Sequence, residues 1–561
     1  MVGGADIGLA QARHTRGMTK KGKPRSYSLR RPLSWAVGLT ALWAFSTWIA
    51  LEGFRIAALW PPVLALLCIV LTRRVLVSLF LGALGGALMI EEGRLGEALW
   101  SLPFRYLLPA LESPWKWGAL LFTLALGGFA ALLEAGGGLR GLFERFMQDR
   151  KDARKRLQFS AMGLGLVCFF DGLANSILVG RVSRSLADAC RVSRAKLAYI
   201  VDSTSSAVAC IAFISTWIAT QLSLIEEGLQ AVGESDRFHP YAVFFASIPL
   251  NFYVLFTLLL LGLSVAMDWN PGPMRRFEER ARAAKTPPDN GKRLLDASAA
   301  PLRTALVPLG ILVGGIMVLF YLREARPLWP VTVEKAALSF SSADGPYILL
   351  AGSAAAIAAA VALYPRGRGT PPVLPAFIGG VRSLVLPLTV LLFAWMLAGV
   401  IAEAGAAQVL GDLLGGNLSP GLLPLAVFLL GALVSFTTGT SWGTMGLLMP
   451  LAVPLVFLLG EPPEQAFLLS AVVAAVFSGA VFGDHCSPFS DTTLVASATC
   501  GLRPIDHVRT QLPYALTAAA AAAVFGFLPA GTGFLPAYGA LLLGGAALAA
   551  LVTLATMGAR R

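Results

Sequence analysis

Residues 479–493 read Gly-Ala-Val-Phe-Gly-Asp-His-Cys-Ser-Pro-Phe-Ser-Asp-Thr-Thr, inside an apolar segment, about 466–499, that otherwise has the composition of a membrane span. Two acids of this stretch, Asp484 and Asp491, would each cost at least about 2.5–3.5 kcal/mol at the centre of a bilayer. Pro488 removes a backbone donor, so a helix is expected to break here, and broken backbone at membrane depth must be enclosed by protein or face water. The stretch therefore predicts a broken transmembrane helix whose carboxylates and hydroxyls line a polar site.

The whole chain has the composition of a polytopic membrane protein. Of its 561 residues, 56% are hydrophobic and 14% are charged, and several apolar runs reach the roughly 20 residues that a helix needs to cross hydrocarbon. The net charge of +13 gathers between these runs, as in the cytoplasmic loops of membrane proteins, so nucleic acid is not an expected partner. The six cysteines are scattered without metal-ligand spacing, which predicts neither a disulfide framework nor a zinc site.

The positions of lysine and arginine predict an all-α protein with about 12 crossings and both termini in the cytoplasm. The segment 157–180 has basic stretches at both ends, so it is predicted to be a re-entrant hairpin with its tip near Asp171. A second hairpin is predicted at 422–459, which is also long enough to be two spans. The predicted domains are a cytoplasmic basic arm at 1–33, peripheral or scaffold helices at 34–114, a first repeat at 115–222, an external loop and returning helix at 223–267, a cytoplasmic linker at 268–303, scaffold helices at 304–385, a second repeat at 386–500 and C-terminal helices at 501–561.

Two segments, 115–222 and 386–500, share the order of their motifs. Glu134-Ala-Gly in the first corresponds to Glu403-Ala-Gly in the second, and Asp202-Ser-Thr-Ser corresponds to the four residues that begin at Asp484. The distribution of basic residues gives the two segments opposite orientations. Inverted repeats, each with a hairpin and a broken helix, are an architecture of secondary transporters, in which the binding site lies near the membrane midplane.

The candidate binding residues carry oxygen atoms, which hard cations such as sodium prefer as ligands. The predicted cation- and proton-binding set is Asp202, Asp484, Asp491, Ser203, Thr204, Ser487 and Thr492. The hairpin tips add Asp171, Asn175, Thr438, Thr440 and Ser441. Na⁺ is expected at Asp202 and Asp484. The alternative for these residues is a structural role, as helix caps, turn-stabilising side chains or hydroxyls that bond to their own helix.

Other polar residues near these motifs are interpreted differently. Glu134 and Glu403 end their spans and are expected at the membrane interface. A structural role is expected for His507 and Gln511, which follow the broken helix at the cytoplasmic rim. Two roles remain open for His485: its side chain either changes its protonation near physiological pH or only hydrogen-bonds a carbonyl group.

The motif that contains Asp484 also resembles a family signature. In chain order, the matching stretches of the second half are Gly483-Asp-His-Cys-Ser-Pro-Phe-Ser-Asp-Thr-Thr493, Asp506-His507 and Gln511-Leu-Pro-Tyr514. They are similar to the signature of the NhaC-type sodium/proton antiporters. Phe170-Asp-Gly-Leu-Ala-Asn-Ser176 and Tyr199-Ile-Val-Asp-Ser-Thr204 resemble the first-half motifs of that family.

The resemblance covers about 115–530, with one departure at Ser205-Ser-Ala-Val208, where a proline would be expected. It implies a bacterial inner-membrane antiporter with a scaffold and a moving transport domain. The implied partners are Na⁺ and H⁺ as transported ions and the lipid bilayer, and a homodimer is left open. No cofactor is expected besides the transported Na⁺.

The sequence therefore predicts secondary antiport of Na⁺ for H⁺. A carboxylate that binds either ion but never both couples their movements without further machinery. The alternative is exchange of a small organic acid or amino acid with Na⁺ or H⁺, because helix N-termini at the hairpin tips would suit a carboxylate. No arginine lies within the motifs to hold such a cargo. A membrane enzyme with Ser487 or Cys486 as nucleophile is disfavoured, because it would leave the internal repeat unexplained.

Overall fold

The structure is a computed structural model that describes residues 30–52, 55–72, 74–147, 152–284, 300–325, 328–330, 332, 335, 339–340, 344–366, 370–414, 418–488 and 490–560. Within these ranges the chain forms helices and no β-strand. Most of the predicted basic arm at 1–33, and residues 285–299 of the predicted linker, lie outside the described residues.

The apolar runs form helices because a chain in hydrocarbon must satisfy its backbone N–H and C=O groups within its own segment. In the first half these helices are α1 (Arg30–Glu52), α2 (Trp60–Thr72), α3 (Val75–Ile90), α4 (Leu95–Ser101), α5 (Leu108–Ala110), α6 (Pro114–Gly136), α7 (Gly138–Phe146), α8 (Ala153–Val167), α9 (Gly172–Ala189), α10 (Arg194–Ile211), α11 (Thr216–Gln230), α12 (Pro240–Ser247), α13 (Phe252–Ala266) and α14 (Pro273–Ala283).

In the second half they are α15 (Arg303–Glu324), α16 (Gly345–Ala362), α17 (Val373–Ser383), α18 (Val385–Ala404), α19 (Ala406–Leu414), α20 (Leu423–Thr438), α21 (Ser441–Leu459), α22 (Gln465–Cys486), α23 (Asp491–Cys500), α24 (Pro504–Ala521), α25 (Leu528–Gly531) and α26 (Ala537–Arg560). Short 3₁₀ segments lie at Arg55–Leu59, Ile248–Leu250 and Pro420–Leu422, and π-helical segments at Leu102–Leu107 and Ala522–Phe527.

The described part of the chain contains ten helices that are long and apolar enough to cross a membrane, or up to twelve if each of two bent pairs is one span. The bent pairs are α10 with α11, at 45°, and α12 with α13, at 47°. This confirms the prediction of an all-α polytopic membrane protein with about 12 crossings. The two helices of the second predicted hairpin each pass the length test by themselves.

The two predicted repeats show the same order of helices. Each begins with a long helix that ends at a glycine in the left-handed region, Gly137 (φ 73°) after α6 and Gly405 (φ 72°) after α18. Glycine suits these positions because other residues are strained at positive φ. A short helix, two hairpin helices and a broken helix pair follow in both segments. The opposite orientation of the two repeats stays a prediction.

The breaks in the two broken helices differ in sequence. The break between α22 and α23 spans residues 487–490 and contains Pro488, whereas α10 and α11 separate at residues 212–215, which contain no proline. Asp484 therefore lies two residues before the end of its helix, while Asp202 lies in the middle of α10. The two acids do not occupy equivalent positions relative to the breaks, although their motifs align in sequence.

Helix α22 runs through the interior and packs against α20, α21, α12, α13 and α24. Its glycines allow α20 to approach closely: a Cβ atom at Gly483 would lie 1.8 Å from Ser435 Oγ, and one at Gly479 would lie 2.8 Å from the Ala432 nitrogen. Ser435 Oγ also donates a hydrogen bond to the Ala480 carbonyl oxygen at 2.7 Å. Small residues at helix crossings are a common packing device in membranes. This contact sets Asp484 beside the tip of the second hairpin.

Candidate cation-binding site

Asp484 is fully buried, and its carboxylate accepts hydrogen bonds from hydroxyl groups. Ser441 Oγ lies 3.1 Å from Asp484 Oδ1 and 3.0 Å from Oδ2, and Ser490 Oγ lies 3.2 Å from Oδ1. Ser441 is the first residue of α21, and Ser490 directly precedes α23. The carboxylate therefore sits where the tip of the second hairpin meets the break between α22 and α23.

The break contributes further oxygen atoms to this region. Thr493 Oγ1 donates a hydrogen bond to the carbonyl oxygen of Asp484. Thr492 Oγ1 lies 3.0 Å from Ser490 Oγ, and the Thr492 backbone N–H donates to Asp491 Oδ1 at 2.8 Å. Asp491 is exposed, in contrast to its neighbours. Ser487 is buried at the end of α22, where its backbone N–H donates to the Gly483 carbonyl oxygen at 2.7 Å.

Hydrogen bonds made by Asp171 and Asn175 hold the tip of the first hairpin in place. Asp171 caps α9, because its Oδ1 accepts a hydrogen bond from the Ala174 backbone N–H at 2.6 Å. Asn175 Nδ2 donates to the Gly165 carbonyl oxygen at 2.7 Å and to the Thr204 carbonyl oxygen at 2.9 Å. The amide thus fastens the two arms of the hairpin to α10. Asn175 Oδ1 is buried without a hydrogen-bond donor among the described residues.

The three predicted site residues at the tip of the second hairpin make different contacts. Thr440 caps α21, with its hydroxyl accepting from the Gly443 backbone N–H at 3.2 Å. Thr438 Oγ1 accepts from the Thr440 backbone N–H at 3.3 Å and lies 3.5 Å from the Ser435 carbonyl oxygen. Of the three, Ser441 reaches Asp484. The hydrogen bonds of Thr438 and Thr440 therefore fit the alternative prediction, in which these side chains have a structural role.

The two hairpin tips and the second break meet around a small inner cavity of about 20 Å³. A cavity needs roughly 10–15 Å³ to hold one water molecule, so the inner cavity has room for one species of that size. The indole rings of Trp217 and Trp442 also line it, with 6.5 Å between ring centroids. The predicted site residues in its wall are Asp171, Ser441, Asp491 and Thr492.

Asp202 is held in a separate polar cluster. Its side chain is fully buried, and Oδ2 accepts hydrogen bonds from Gln511 Nε2 at 2.8 Å and from His507 Nε2 at 3.3 Å. Asp202 Oδ1 has no donor in the part of the chain that the structure describes. The adjacent Ser203 is also buried, and Thr204 Oγ1 donates to the Ile200 carbonyl oxygen at 2.9 Å within α10. Asp202, Ser203 and Thr204 do not line the inner cavity, and neither do Asp484 and Ser487.

Sequence reasoning missed three residues of these clusters. The sequence predicts a structural role at the rim for His507 and Gln511; both side chains are buried and hydrogen-bond Asp202 Oδ2. Their spacing of four places both on one face of α24, which was the available signal. Ser490, on the carboxylate of Asp484, was absent from the predicted set because its contact depends on the geometry of the break.

His485 connects three helices beside the site. Its Nδ1 lies 2.9 Å from the Tyr253 hydroxyl of α13, and its Nε2 lies 3.4 Å from Ser206 Oγ of α10. Both ring nitrogens therefore face hydroxyl groups. The imidazole joins the helix of Asp484 to that of Asp202.

The oxygen-rich surroundings of Asp484 suit a hard monovalent cation. In the described ranges, no group of three or more histidine, cysteine, aspartate or glutamate side chains is placed to hold a metal ion. A site around Asp484 would instead combine one carboxylate with hydroxyl and backbone oxygens.

Comparison with known proteins gives a family match. The model of the Na⁺/H⁺ antiporter family matches residues 208–531. An uncharacterised protein of Haemophilus influenzae is 32% identical over 475 residues, which are 83% of this chain and 89% of that protein. The Na⁺/H⁺ antiporter NhaC of Alkalihalophilus pseudofirmus is 30% identical over 137 residues, or 24% of this chain and 28% of that protein.

Two further similarities concern a different cargo and the fold. The malate-2H⁺/Na⁺-lactate antiporter of Bacillus subtilis is 38% identical over 93 residues, which are 17% of this chain and 19% of that protein. The crystal structure of the Alcanivorax borkumensis YdaH transporter matches with a TM-score of 0.53 and 18% identity, covering 78% of this chain and 90% of that one. The latter likeness concerns the fold alone.

Proposed function

Because the chain belongs to the Na⁺/H⁺ antiporter family, we propose that Asp484 is the carboxylate at which Na⁺ and H⁺ compete during exchange. The supporting observation is the set of hydrogen bonds around it: Ser441 and Ser490 donate to a fully buried carboxylate. No basic side chain contacts Asp484 in the ranges that the structure describes. A charge closed off from water requires neutralisation, and here a bound proton or cation can supply it.

Asp484 does not itself line the inner cavity; it is connected to the cavity through Ser441, which lines it and donates to the carboxylate. Hydroxyl and carboxylate oxygens are ligands that Na⁺ accepts, and Ser441, Asp491 and Thr492 bring them to one wall. A hairpin tip and a helix break both lie at this cavity. A movement of either hairpin would therefore change the ligand set, which is how alternating access could release the ion.

Asp202 is proposed as the second carboxylate of the exchange. Gln511 and His507 bind its Oδ2, while its Oδ1 is a buried oxygen without a donor among the described residues. The same is true of Oδ1 of Asn175, whose amide donates a hydrogen bond to α10 at the Thr204 carbonyl oxygen. Buried acceptors of this kind are ligands that a cation can use. His485 lies between the helices of the two acids.

The same geometry disfavours an organic cargo at the inner cavity. Sites for small organic molecules have volumes of about 300–1,000 Å³, far above that of the inner cavity. Within the described part of the chain, no arginine or lysine lines the inner cavity to bind an organic acid. The similarity to the malate/lactate antiporter covers a short part of both chains, so exchange of an organic acid remains the alternative outcome of the experiment below.

Proteoliposomes with purified protein test the proposal. An outward Na⁺ gradient is expected to acidify the lumen without any organic solute, because Na⁺ leaves as H⁺ enters. The apparent affinity for Na⁺ is expected to fall as the pH falls, since protonation removes the charge that holds the cation. Vesicles with the Asp484→Asn variant serve as the control. A luminal pH that stays constant until an organic acid or amino acid is added would contradict the proposal.

Ser441→Ala is expected to weaken the apparent affinity for Na⁺ by about tenfold or more, since a hydrogen bond to a charged group contributes about 1.5–3 kcal/mol. The loss of this donor favours the protonated carboxyl and also removes a potential cation ligand. Ser470→Ala is a matched control on α22, because Ser470 Oγ donates only to the Ala466 carbonyl oxygen of its own helix. Equal Na⁺ affinities in the two variants would remove Ser441 from the site.

We place the protein in a bacterial inner membrane with both termini in the cytoplasm. The support is the positive-inside distribution of lysine and arginine and the bacterial origin of the relatives. The proposed exchange needs no cofactor and no nucleic acid. It can operate in a single chain or in a homodimer.

A further inference from the structure

A second, larger cavity lies next to the inner one. This outer cavity has a volume of about 660 Å³, and α6, the beginning of α9, α17 and Val495 of α23 form its wall. Most of the wall consists of glycine, alanine and proline. Among the residues that the structure describes, its charged side chains are Glu134 and Asp171, and none of the described arginines and lysines lines it.

The tip of the first hairpin separates the two cavities. Asp171 and Leu173 line both of them. On the inner side they face Ser441 and Asp491, and on the outer side they face α6 and α17. The hairpin tip is therefore a thin partition between a wide space and a space for one ion.

We propose that the outer cavity is the route by which cations reach the inner cavity from the cytoplasm, with Glu134 attracting them and the partition of Asp171 and Leu173 admitting them. The proposal rests on the proposed function and names the route to its site. Glu134 lies six residues before Arg140, where the basic stretch 140–156 begins, and this stretch, which precedes the hairpin segment 157–180, is predicted to be cytoplasmic. That prediction assigns the side.

Glu134 differs from its counterpart in the second repeat. The Glu134 side chain is 30% exposed, with Arg181 Nη1 3.4 Å from its Oε1, and it lines the outer cavity. Glu403 is equally exposed and likewise pairs with an arginine, Arg105, but it lines neither cavity. A carboxylate at the mouth of a cleft raises the local concentration of cations, and salt weakens this effect. Glu403 is therefore a matched control for Glu134.

Two adjacent glycines of α17 show which part of the wall is open. A Cβ atom at Gly380 would lie 2.1 Å from the Gly127 carbonyl oxygen, so this glycine allows α6 and α17 to pack. A Cβ atom at Gly379 would have no heavy atom within 4 Å. Since Gly379 lines the outer cavity, a larger side chain there enters the proposed route rather than the packing contact.

The first test places a large side chain in the outer cavity. Gly379→Trp should remove most Na⁺-dependent exchange in proteoliposomes, whereas Gly310→Trp should leave it intact. Gly310, on α15, is likewise free of neighbours within 4 Å of its Cβ position, and it lines neither cavity. Exchange by folded Gly379→Trp protein at the wild-type rate would overturn the proposal.

A cysteine at the same position tests the route without relying on the tryptophan variant. In Gly379→Cys vesicles, a membrane-impermeant cationic thiol reagent should inhibit exchange when added to the cytoplasmic face, while the parent protein with its six cysteines should resist. Inhibition from the opposite face alone, or full activity after complete modification, would contradict the proposal.

The third arm measures the attraction of cations. Glu134→Gln should weaken the apparent Na⁺ affinity by about threefold to fivefold at low ionic strength, and the difference should vanish near 1 M of an inert salt. Glu403→Gln should match the wild type under both conditions. Because these variants keep Asp484 and exchange at saturating Na⁺, a negative result here would refute the route while leaving the proposed site intact.

Discussion

Asp484→Asn is expected to abolish Na⁺-dependent exchange. Two unit charges about 4 Å apart interact by about 4 kcal/mol at an effective dielectric constant of 20, which corresponds to a factor of about 1,000 in affinity. The asparagine amide has the shape of the carboxylate and can still hydrogen-bond Ser441 and Ser490. The variant should therefore lose Na⁺ binding and transport but keep its expression level and its thermal unfolding temperature in detergent.

Glu403→Gln is the control for the loss of an acid in a membrane-embedded helix, because Glu403 pairs with Arg105 away from the site. It should transport at close to the wild-type rate. Substantial exchange by Asp484→Asn, in protein that unfolds at the wild-type temperature, would contradict the assignment of the competing carboxylate.

Asp202→Asn is expected to cause a loss of exchange of similar size. Asp202 is fully buried, so its negative charge also needs a proton or cation, and the substitution removes that requirement. The fold should tolerate the change, because Gln511 Oε1 has no donor among the described residues and can accept a hydrogen bond from the new amide after the Gln511 side chain flips. Exchange in proteoliposomes and thermal unfolding in detergent measure the two effects separately.

Asp188→Asn is the matched control, since Asp188 lies at the surface end of α9 and pairs with Arg194. It should exchange ions normally. If Asp202→Asn and Asp484→Asn both retained normal Na⁺-dependent exchange, the two-carboxylate site would be refuted and the transported ions would have to bind elsewhere.

The Asp484→Asn and Asp202→Asn variants also test whether the two acids have different roles in ion binding. Asp484 contacts hydroxyls beside a cavity for one ion, whereas Asp202 is held by an amide and an imidazole away from that cavity. Residual exchange in one variant but not in the other would show which acid the transported ion contacts. The hydrogen bonds of His485 would then be the connection through which one acid affects the other.

The sequence by itself determined the class of the fold and the position of the main break. Apolar runs of about 20 residues predict membrane helices, and Pro488 predicts the end of α22, because both depend on the chain's immediate surroundings. The left-handed glycines do not align in the two repeats: Gly405 ends its Glu-Ala-Gly motif, whereas Gly137 comes one residue after its own. The length of the second hairpin left its nature open, and its two helices indeed each have the length of a span.

The candidate acids could be selected from the sequence, because an acid inside an apolar run is expensive unless it has a function, and their role in transport stays a prediction. The partners of those acids were not readable. Ser441 and Asp484 are 43 residues apart, and Gln511 and Asp202 are 309 residues apart. Such contacts depend on how helices rotate and cross, and hydropathy does not determine either.

Only the tertiary structure therefore separated Asp202 from the inner cavity and joined Asp171, Ser441 and Asp491 around it. The close approach of α20 and α22 at Gly483 sets the position of Asp484 beside the second hairpin. The glycines of α6 and α17 likewise bring these helices together at the wall of the outer cavity. Local sequence specified the long apolar helices and the break at Pro488, whereas side-chain packing between distant helices decided which oxygens meet, because the shape of a site is a property of the assembled bundle.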